Sequence, residues 1–238
     1  MVGLATVYKY LKMLGARLKV PRPCHEKHDP TAAEAFKASL AQRLSDLKLP
    51  TDRPVRLWVA DEMRYGLLPV TRRVWALKGL RAVVAVHPRY QWGYLFGALP
   101  LGGRGTHFCY CPPATLAMGH AFLQQLAARE PEALQVVLWN GAGFHPGDGA
   151  PGLPANVRLI TFPPYSPELN PVEKLWDQVK DHLCNQPFGS LRALEAVMTD
   201  FLRAFWQDAR RVVSLIGEGW LPTRADHFFR QHCTAMSG

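Results

Sequence analysis

The sequence lacks several features that would assign it to whole classes of protein. It has no apolar run approaching the roughly 18 residues of a membrane span, and its N-terminal segment has no apolar core of a signal peptide. Its five cysteines are an odd number without metal-ligand spacing. Internal repeats and low-complexity tracts are also missing. We therefore expect a soluble, cytoplasmic protein that has no membrane partner, zinc site or disulfide framework.

Acidic residues are scarce in the N-terminal part of the chain. Residues 1–100 contain 17 Lys and Arg against 7 Asp and Glu, whereas residues 101–238 contain 11 against 12. A basic segment attracts polyanions, because each Lys or Arg placed against a phosphate releases condensed counterions. The distribution favours a nucleic-acid partner, and an acidic protein or a membrane surface is the alternative.

The length and the hydrophobic content indicate either one large domain or one domain with an appendage. The chain has 238 residues, of which 48% are hydrophobic, enough to bury a sizeable core. We expect residues 1–50 to hold an N-terminal helix, a basic linker and a connecting helix. Residues 51–238 are expected to form the main domain with C-terminal helices.

The N-terminal part shows two helix patterns separated by a linker. Apolar residues at helical spacing predict a helix over residues 3–14, closed by Gly15. Residues 17–28 are expected to form an extended basic linker, and Asp29 and Pro30 supply the cap and first position of a second helix. The candidates for DNA contact in this part are basic residues, for which a solvated face is the alternative: Lys9, Lys12, Arg17, Lys19 and Arg22.

Beyond residue 55 the pattern changes to alternating strands and helices. Short apolar runs predict strands over residues 55–60, 82–87, 94–99, 134–139 and 157–162. Helical spacing predicts helices over residues 113–129, from 170 onward, and over 190–206. This order predicts a mixed α/β sheet with helices on its faces. Four tryptophans of this part are expected in the core: Trp58, Trp75, Trp139 and Trp176.

Two of these strands end at polar residues with useful chemistry, Asp61 and Asn140. Groups just past the carboxyl ends of adjacent parallel strands share a crevice, and Glu173, in the first turn of a later helix, is a third candidate. Asp61 also fits a simple strand terminus, and Glu173 fits a capping box with Asn170. Spacing alone does not separate these interpretations. His145 is expected to be a loop residue near the crevice rather than a ligand.

Four motifs carry a resemblance to a known family: WVADE at residues 58–62, RVWALKG at 73–79, WNGAGFH at 139–145 and PPYSPELNPVE at 163–173. They resemble the IS630 group of bacterial insertion-sequence transposases, in the Tc1/mariner superfamily of DDE/DDD enzymes, and the likeness extends over nearly the whole chain. The resemblance implies an RNase H-like fold and cut-and-paste transposition. It also implies double-stranded DNA partners (transposon ends and target), a homodimer, and a bacterial cytoplasmic location at the nucleoid.

The resemblance assigns the catalytic and metal-binding positions to Asp61, Asn140 and Glu173, with two Mg²⁺ or Mn²⁺ ions between them. Phosphodiester cleavage needs charge stabilisation at both the entering and the leaving oxygen, which two divalent ions about 4 Å apart supply. Carboxylates hold such hard ions. By position, Asp61 would bridge the ions and Glu173 would hold one of them.

This chain departs from the family at the second acidic position, where the family has Asp and the chain has Asn140. An amide oxygen can coordinate a cation but brings no charge, so we expect weaker metal binding and impaired catalysis. Asp148 and Glu62 lie nearby in the sequence, but neither matches the motif position. Two origins fit Asn140, a substitution that traps a substrate complex and a naturally decayed copy.

Three further expectations complete the sequence-based picture. Arg72, Arg73 and Lys78, between strands near Asp61, are candidates for contact with the DNA backbone, with a solvated hairpin as the alternative. The first helix resembles the end of a helix-turn-helix region, so we expect a short helical remnant of that region. The alternative functions are a non-catalytic DNA-binding protein derived from a transposase and another RNase H-like nuclease, such as one that cuts RNA in hybrids.

Overall fold

The computed structural model describes most of the chain. The described residues are 3–17, 25–47, 49–50, 52–85, 89–102, 105–143, 145–217 and 219–225. Two of the residues expected to contact DNA, Lys19 and Arg22, lie outside these ranges. In the described part, no helix has both the length and the apolar character to cross a bilayer.

Two helices precede the sheet, as the sequence predicts. Helix α1 (Leu4–Met13) ends before Gly15, whose positive φ of 74° suits glycine, and none of its residues is buried. Helix α2 (Pro30–Asp46) is capped by Asp29, which accepts hydrogen bonds from the N–H groups of the first turn. The apolar stripe of α2 is buried, so this helix packs on the main domain, whereas α1 stands exposed.

The centre of the fold is a mixed five-stranded sheet. The strands are β1 (Val55–Gly66), β2 (Trp92–Pro100), β3 (His107–Cys111), β4 (Leu134–Trp139) and β5 (Val157–Thr161). Their order is β3-β2-β1-β4-β5. Strands β1, β4 and β5 are parallel to one another, and β2 is antiparallel to both of its neighbours, β1 and β3. This confirms the predicted mixed sheet, including β4 with the bounds read from the sequence.

Helices cover both faces of the sheet. They are α3 (Leu116–Arg129), α4 (Val172–Leu183), α5 (Leu191–Gln207) and α6 (Ala209–Gly217). Helix α3 packs on one face with Trp58, Phe96 and Trp139, while α2, α4, α5 and α6 pack on the other around Trp176. Because both faces are covered, the central strands read as nearly continuous apolar runs.

Several sequence-based expectations about the strands are wrong. The described part of the run expected as a strand at 82–87, residues 82–85, has no regular structure, and the rest lies outside the described ranges. Val83 of that run is 81% exposed, so its side chain is not part of the core. Strand β3 was not predicted, since it is a short edge strand. Trp75 is fully exposed and does not belong to the core.

The packing of α2 gives the first testable prediction. Leu40 on α2 is completely buried in the main core, so Leu40→Ala should lower the free energy of unfolding by about 2–5 kcal/mol, measured by urea denaturation. Gln42→Ala, at an exposed position of the same helix, is the matched control and should change it by less than about 0.5 kcal/mol. Equal unfolding midpoints for the two variants would show that α2 does not pack on this core.

Candidate active site

Asp61 lies inside β1 rather than at its end, which corrects the sequence-based expectation. Pairing of β1 with the parallel strand β4 stops at Val59, but pairing with antiparallel β2 continues to Gly66. Asp61 therefore sits two residues beyond the last parallel pair, where the sheet loses a neighbour on one side. The crevice expected at this edge of the parallel strands is present although the strand itself continues.

The carboxylate of Asp61 is buried and accepts two hydrogen bonds. The residue is only 3% exposed. Its Oδ1 accepts from Asn140 Nδ2 at 3.0 Å, and its Oδ2 accepts from Trp176 Nε1 at 3.0 Å. Burial, followed by the negative charges of Glu62 and Glu173, raises the pKa of Asp61 well above its ordinary value. The hydrogen bond from Trp176 offsets a part of that pKa shift.

Asn140 follows β4 directly and presents its amide N–H group to Asp61. Its Oδ1 accepts the backbone N–H of Ala142 at 3.0 Å. These two contacts fix the orientation of the amide, because turning it over would set an oxygen against a carboxylate and an N–H against an N–H. An aspartate at this position would instead place two carboxylates within about the same distance, an arrangement that requires a cation or a proton.

Glu173 enters the site from the first turn of α4. The alternative of a capping box fails, because the Asn170 N–H is donated to the Pro167 carbonyl and not to the side chain of Glu173. Asn170 caps the helix alone, with its Oδ1 accepting the Val172 N–H at 3.1 Å. Burial is the largest cause that raises the pKa of Glu173, and Lys180 opposes it.

Asn170 also ties α4 to the sheet, a role that the sequence did not reveal. Its Nδ2 donates to the carbonyl of Ala60 at 2.9 Å, one residue before Asp61. Trp176, expected only as a core residue, donates to Asp61 itself. Both contacts join positions more than a hundred residues apart in the chain, so a local sequence pattern does not predict them. Together they fix the start of α4 against β1.

The three candidate residues meet at one cavity of about 430 Å³. Asp61, Asn140 and Glu173 all line it, and the remaining wall includes residues 162–167 and Asn170, after β5. Asp61 and Glu173 are close enough for the charge of the second to raise the pKa of the first. The structure thus brings together the three positions that the sequence singled out.

Glu62 and His145 lie on the opposite side of β1 from Asp61, since successive strand residues face opposite ways. His145 Nε2 is 3.0 Å from Glu62 Oε2, and its Nδ1 is 2.8 Å from the carbonyl oxygen of Asn140. The His145 ring contacts the Trp139 ring, with centroids 3.9 Å apart and planes inclined by 31°. These contacts place His145 in the loop after β4, where it supports the turn that begins at Asn140. Asp148 accepts the N–H of Leu159 and stabilises the loop before β5.

The described basic residues that are expected to contact DNA do not line this cavity. Arg72, Arg73 and Lys78 belong to an exposed segment without regular structure that follows β1. Arg72 forms an ion pair with Asp181 near the C-terminal end of α4, eight residues beyond Glu173. Lys9, Lys12 and Arg17 are exposed on and after α1.

A five-stranded mixed sheet in this strand order, with helices on both faces, is an RNase H-like fold, and the carboxylate-bearing cavity lies at the edge of its parallel strands. A model of the DDE superfamily endonuclease family matches residues 56–195, and the chain belongs to this family. A winged helix-turn helix model matches residues 2–40. The narrower IS630 grouping stays a prediction.

The chain is also similar to individual proteins and solved structures. The chain is 37% identical over 104 residues to "Uncharacterized protein y4pE/y4sA" of Sinorhizobium fredii (strain NBRC 101917 / NGR234), and the match covers 41% of this chain and 73% of that protein. The Mos1 transposase paired-end complex with left transposon end matches with a TM-score of 0.62 at 17% identity, over 93% of this chain and 70% of that chain. A Mos1 mariner paired end complex with Mn matches with a TM-score of 0.59 at 18% identity, over 94% of this chain and 71% of that chain. At these identities the structural likeness concerns the fold.

The donor chemistry of the site fits a divalent cation only in part. The carboxylates of Asp61 and Glu173 are the hard oxygen ligands that Mg²⁺ and Mn²⁺ prefer. The third position presents an N–H donor to Asp61, and its amide oxygen is engaged by Ala142. Within the described ranges, no group of three His, Cys, Asp or Glu side chains is arranged to hold a metal. The site offers two anionic ligands and lacks the third.

The raised pKa values predict how stability depends on pH. When folding raises the pKa of a carboxyl group, the protonated group stabilises the folded protein at pH values below the ordinary pKa near 4. This stabilisation is lost as the pH rises through the raised pKa of the folded state. Asp61→Asn removes the cost of that buried charge. The urea midpoint of Asp61→Asn minus that of the unchanged chain should therefore increase as the pH is raised from about 4 to about 8. Both midpoints are measured in the presence of a metal chelator.

Asp208→Asn is a control of opposite sign, because hydrogen bonds from Arg210 lower the pKa of Asp208. Asp208→Asn removes a stabilisation that is present above the ordinary pKa of Asp208 and is lost as the pH falls. The urea midpoint of Asp208→Asn minus that of the unchanged chain should therefore decrease as the pH is raised from about 2 to about 5. A difference between Asp61→Asn and the unchanged chain that stays constant with pH would contradict the assignment of a costly buried carboxylate at position 61.

Proposed function

We propose that this chain is the catalytic part of a DNA transposase, an enzyme that cuts a DNA strand and joins the released 3′ end to target DNA. The observation that carries the proposal is the meeting of Asp61, Asn140 and Glu173 at one cavity. Membership in the DDE endonuclease family supports it. The finer assignment, strand cleavage followed by strand transfer, rests on the motifs of the sequence.

Asp61 and Glu173 are the residues that would hold a divalent cation at this site. When bound, such a cation stabilises charge on the phosphate and activates the attacking water or 3′ hydroxyl. Trp176 and Asn140 orient the carboxylate of Asp61, and Asn170 keeps Glu173 beside it by fastening the start of α4 to β1. A relative of similar fold was crystallised with Mn, which favours Mn²⁺ or Mg²⁺ as the ion.

Asn140 should impair the activity of the chain as it stands. Two divalent cations need several anionic ligands, and the amide supplies none. Moreover, its N–H group is hydrogen-bonded to one of the oxygens that a cation would use. We propose that this chain binds one ion weakly where the intact family site binds two.

DNA is the proposed partner. The net charge of +9 comes from the N-terminal part, and Lys9, Lys12 and Arg17 are exposed there. The winged helix-turn helix match covers the same segment, and the Mos1 transposase of similar fold forms a paired-end complex with a left transposon end. Arg72, Arg73 and Lys78 form a second exposed basic group that would contact the DNA backbone. A homodimer stays part of the proposal.

The second candidate function is a DNA-binding protein that has lost catalysis. The hydrogen bond between Asn140 and Asp61 favours it, because that bond satisfies the buried carboxylate without any cation. Such a protein would occupy DNA in a salt-dependent way and leave it uncut.

A strand-nicking assay tests the proposal and separates the two candidates. The Asn140→Asp variant, incubated with duplex DNA and Mn²⁺ or Mg²⁺, should nick DNA about a hundredfold or more faster than the unchanged chain, because it restores the third anion. Asn140→Asp combined with Glu173→Gln is the matched control and should return to the rate of the unchanged chain.

Two other outcomes would count against the proposal. Salt-sensitive DNA binding without nicking, both in the unchanged chain and in Asn140→Asp, would favour the non-catalytic function. Equal nicking by Asn140→Asp and its Glu173→Gln derivative would remove Glu173 from the mechanism.

A further inference from the structure

Tyr165 is an unusual residue in the wall of the cavity. Its φ is 57°, in the left-handed region that bulky side chains rarely adopt. It lies in the proline-rich stretch between β5 and α4, lines the same cavity as Asp61, and is 46% exposed. Such strain persists only where the surroundings hold it, and it is concentrated at functional sites.

The segment before α2 holds Tyr165 in this conformation. The Tyr165 carbonyl accepts a hydrogen bond from His28 Nδ1 at 2.9 Å, across 137 residues of sequence. His28 Nε2 is 3.8 Å from Glu168 Oε1 on the far side of the same stretch. His28 therefore fastens the backbone on which the ring of Tyr165 is presented.

The face of the Tyr165 ring is covered by His25. The two rings are stacked, with centroids 4.0 Å apart and planes inclined by 18°. The Lys27 N–H donates to His25 Nδ1 at 3.1 Å, which orients the imidazole. Both His25 and Tyr165 are exposed, so this contact lies at the surface and can be exchanged for another planar ring.

We propose that Tyr165 is a stacking platform for an unpaired nucleobase, and that His25 occupies it in the DNA-free chain. This inference rests on the proposed function, since it takes DNA as the substrate. An aromatic face accepts any base, because every base has a π face. Glu168, on the same stretch as Tyr165, adds a negative charge that disfavours a phosphate beside the ring, whereas a base is neutral.

Displacement of His25 would also couple substrate binding to the N-terminal part of the chain. His25 precedes α2 by only a few residues and follows the segment that carries the basic residues. A base that takes the ring face of Tyr165 releases His25, whereas the hydrogen bond of His28 to the Tyr165 carbonyl can remain. Stacking is thereby separated from the backbone contact that holds the loop.

The test compares DNA binding by variants of the full chain. The probe is a short DNA duplex with a single-stranded tail that carries the fluorescent base 2-aminopurine, and the fully paired duplex is the reference. Tyr165→Ala should bind the tailed probe about tenfold more weakly, since one stacked base is lost, and the paired duplex as the unchanged chain does. Tyr165→Phe keeps the ring and should bind both probes normally.

His25→Ala is a second, independent variant at an exposed position. Because it removes the competitor for the ring, it should bind the tailed probe a few-fold more tightly than the unchanged chain. Quenching of 2-aminopurine should be present in His25→Ala and Tyr165→Phe and absent in Tyr165→Ala. Thermal unfolding of each variant checks that the fold is retained.

The failure of this inference is distinguishable from the failure of the proposed function. Equal binding of the tailed probe by Tyr165→Ala, His25→Ala and the unchanged chain, with salt-dependent binding of the paired duplex, would overturn the stacking platform alone. The absence of binding to either probe at low salt would overturn both.

Discussion

The burial of one carboxylate is the constraint on which the site depends. A carboxylate removed from water must be met by hydrogen-bond donors or by a cation, because its desolvation is otherwise too costly. In this chain the two oxygens of Asp61 are met by neutral N–H groups, from Trp176 on one side and Asn140 on the other. The cost is reduced but not removed, as the raised pKa of Asp61 indicates. Glu173 and Glu62 add further negative charge, so the site retains an unbalanced demand for positive charge.

This demand connects the fold to the proposed chemistry. The sheet places Asp61 where β1 loses its parallel neighbour, β4 delivers residue 140 at the same edge, and Asn170 fastens the start of α4 there. An aspartate at position 140 would increase this demand, and a cation or a proton would then have to meet it. The asparagine lowers the demand by donating a hydrogen bond to Asp61. We therefore expect the amide at position 140 to weaken cation binding and to lower activity.

Much of this arrangement could be predicted from the sequence. The apolar runs that lead to Asp61 and Asn140 indicated the crevice, because hydrophobic patterning is a local signal, and the motif resemblance assigned Glu173 as the third candidate. The missed features depend on distant partners. Strand β3 forms by pairing with β2, which is a long-range contact. Residues 82–85 are apolar but have no regular structure. Likewise Trp75, expected in the core because it is apolar, is exposed. Trp176 donates a hydrogen bond to the carboxylate of Asp61, 115 residues away in the sequence.

The most direct test counts the Mn²⁺ ions bound at equilibrium, by electron paramagnetic resonance of the free ion during titration of the protein. If the amide of Asn140 stands in the place of a missing anionic ligand, the unchanged chain binds Mn²⁺ weakly and with at most one ion. Replacing that amide by a carboxylate then increases both the affinity and the number of ions, and removal of the Asp61 carboxylate abolishes binding in either background. Identical titration curves for the chains with an amide and with a carboxylate at position 140 would contradict the account.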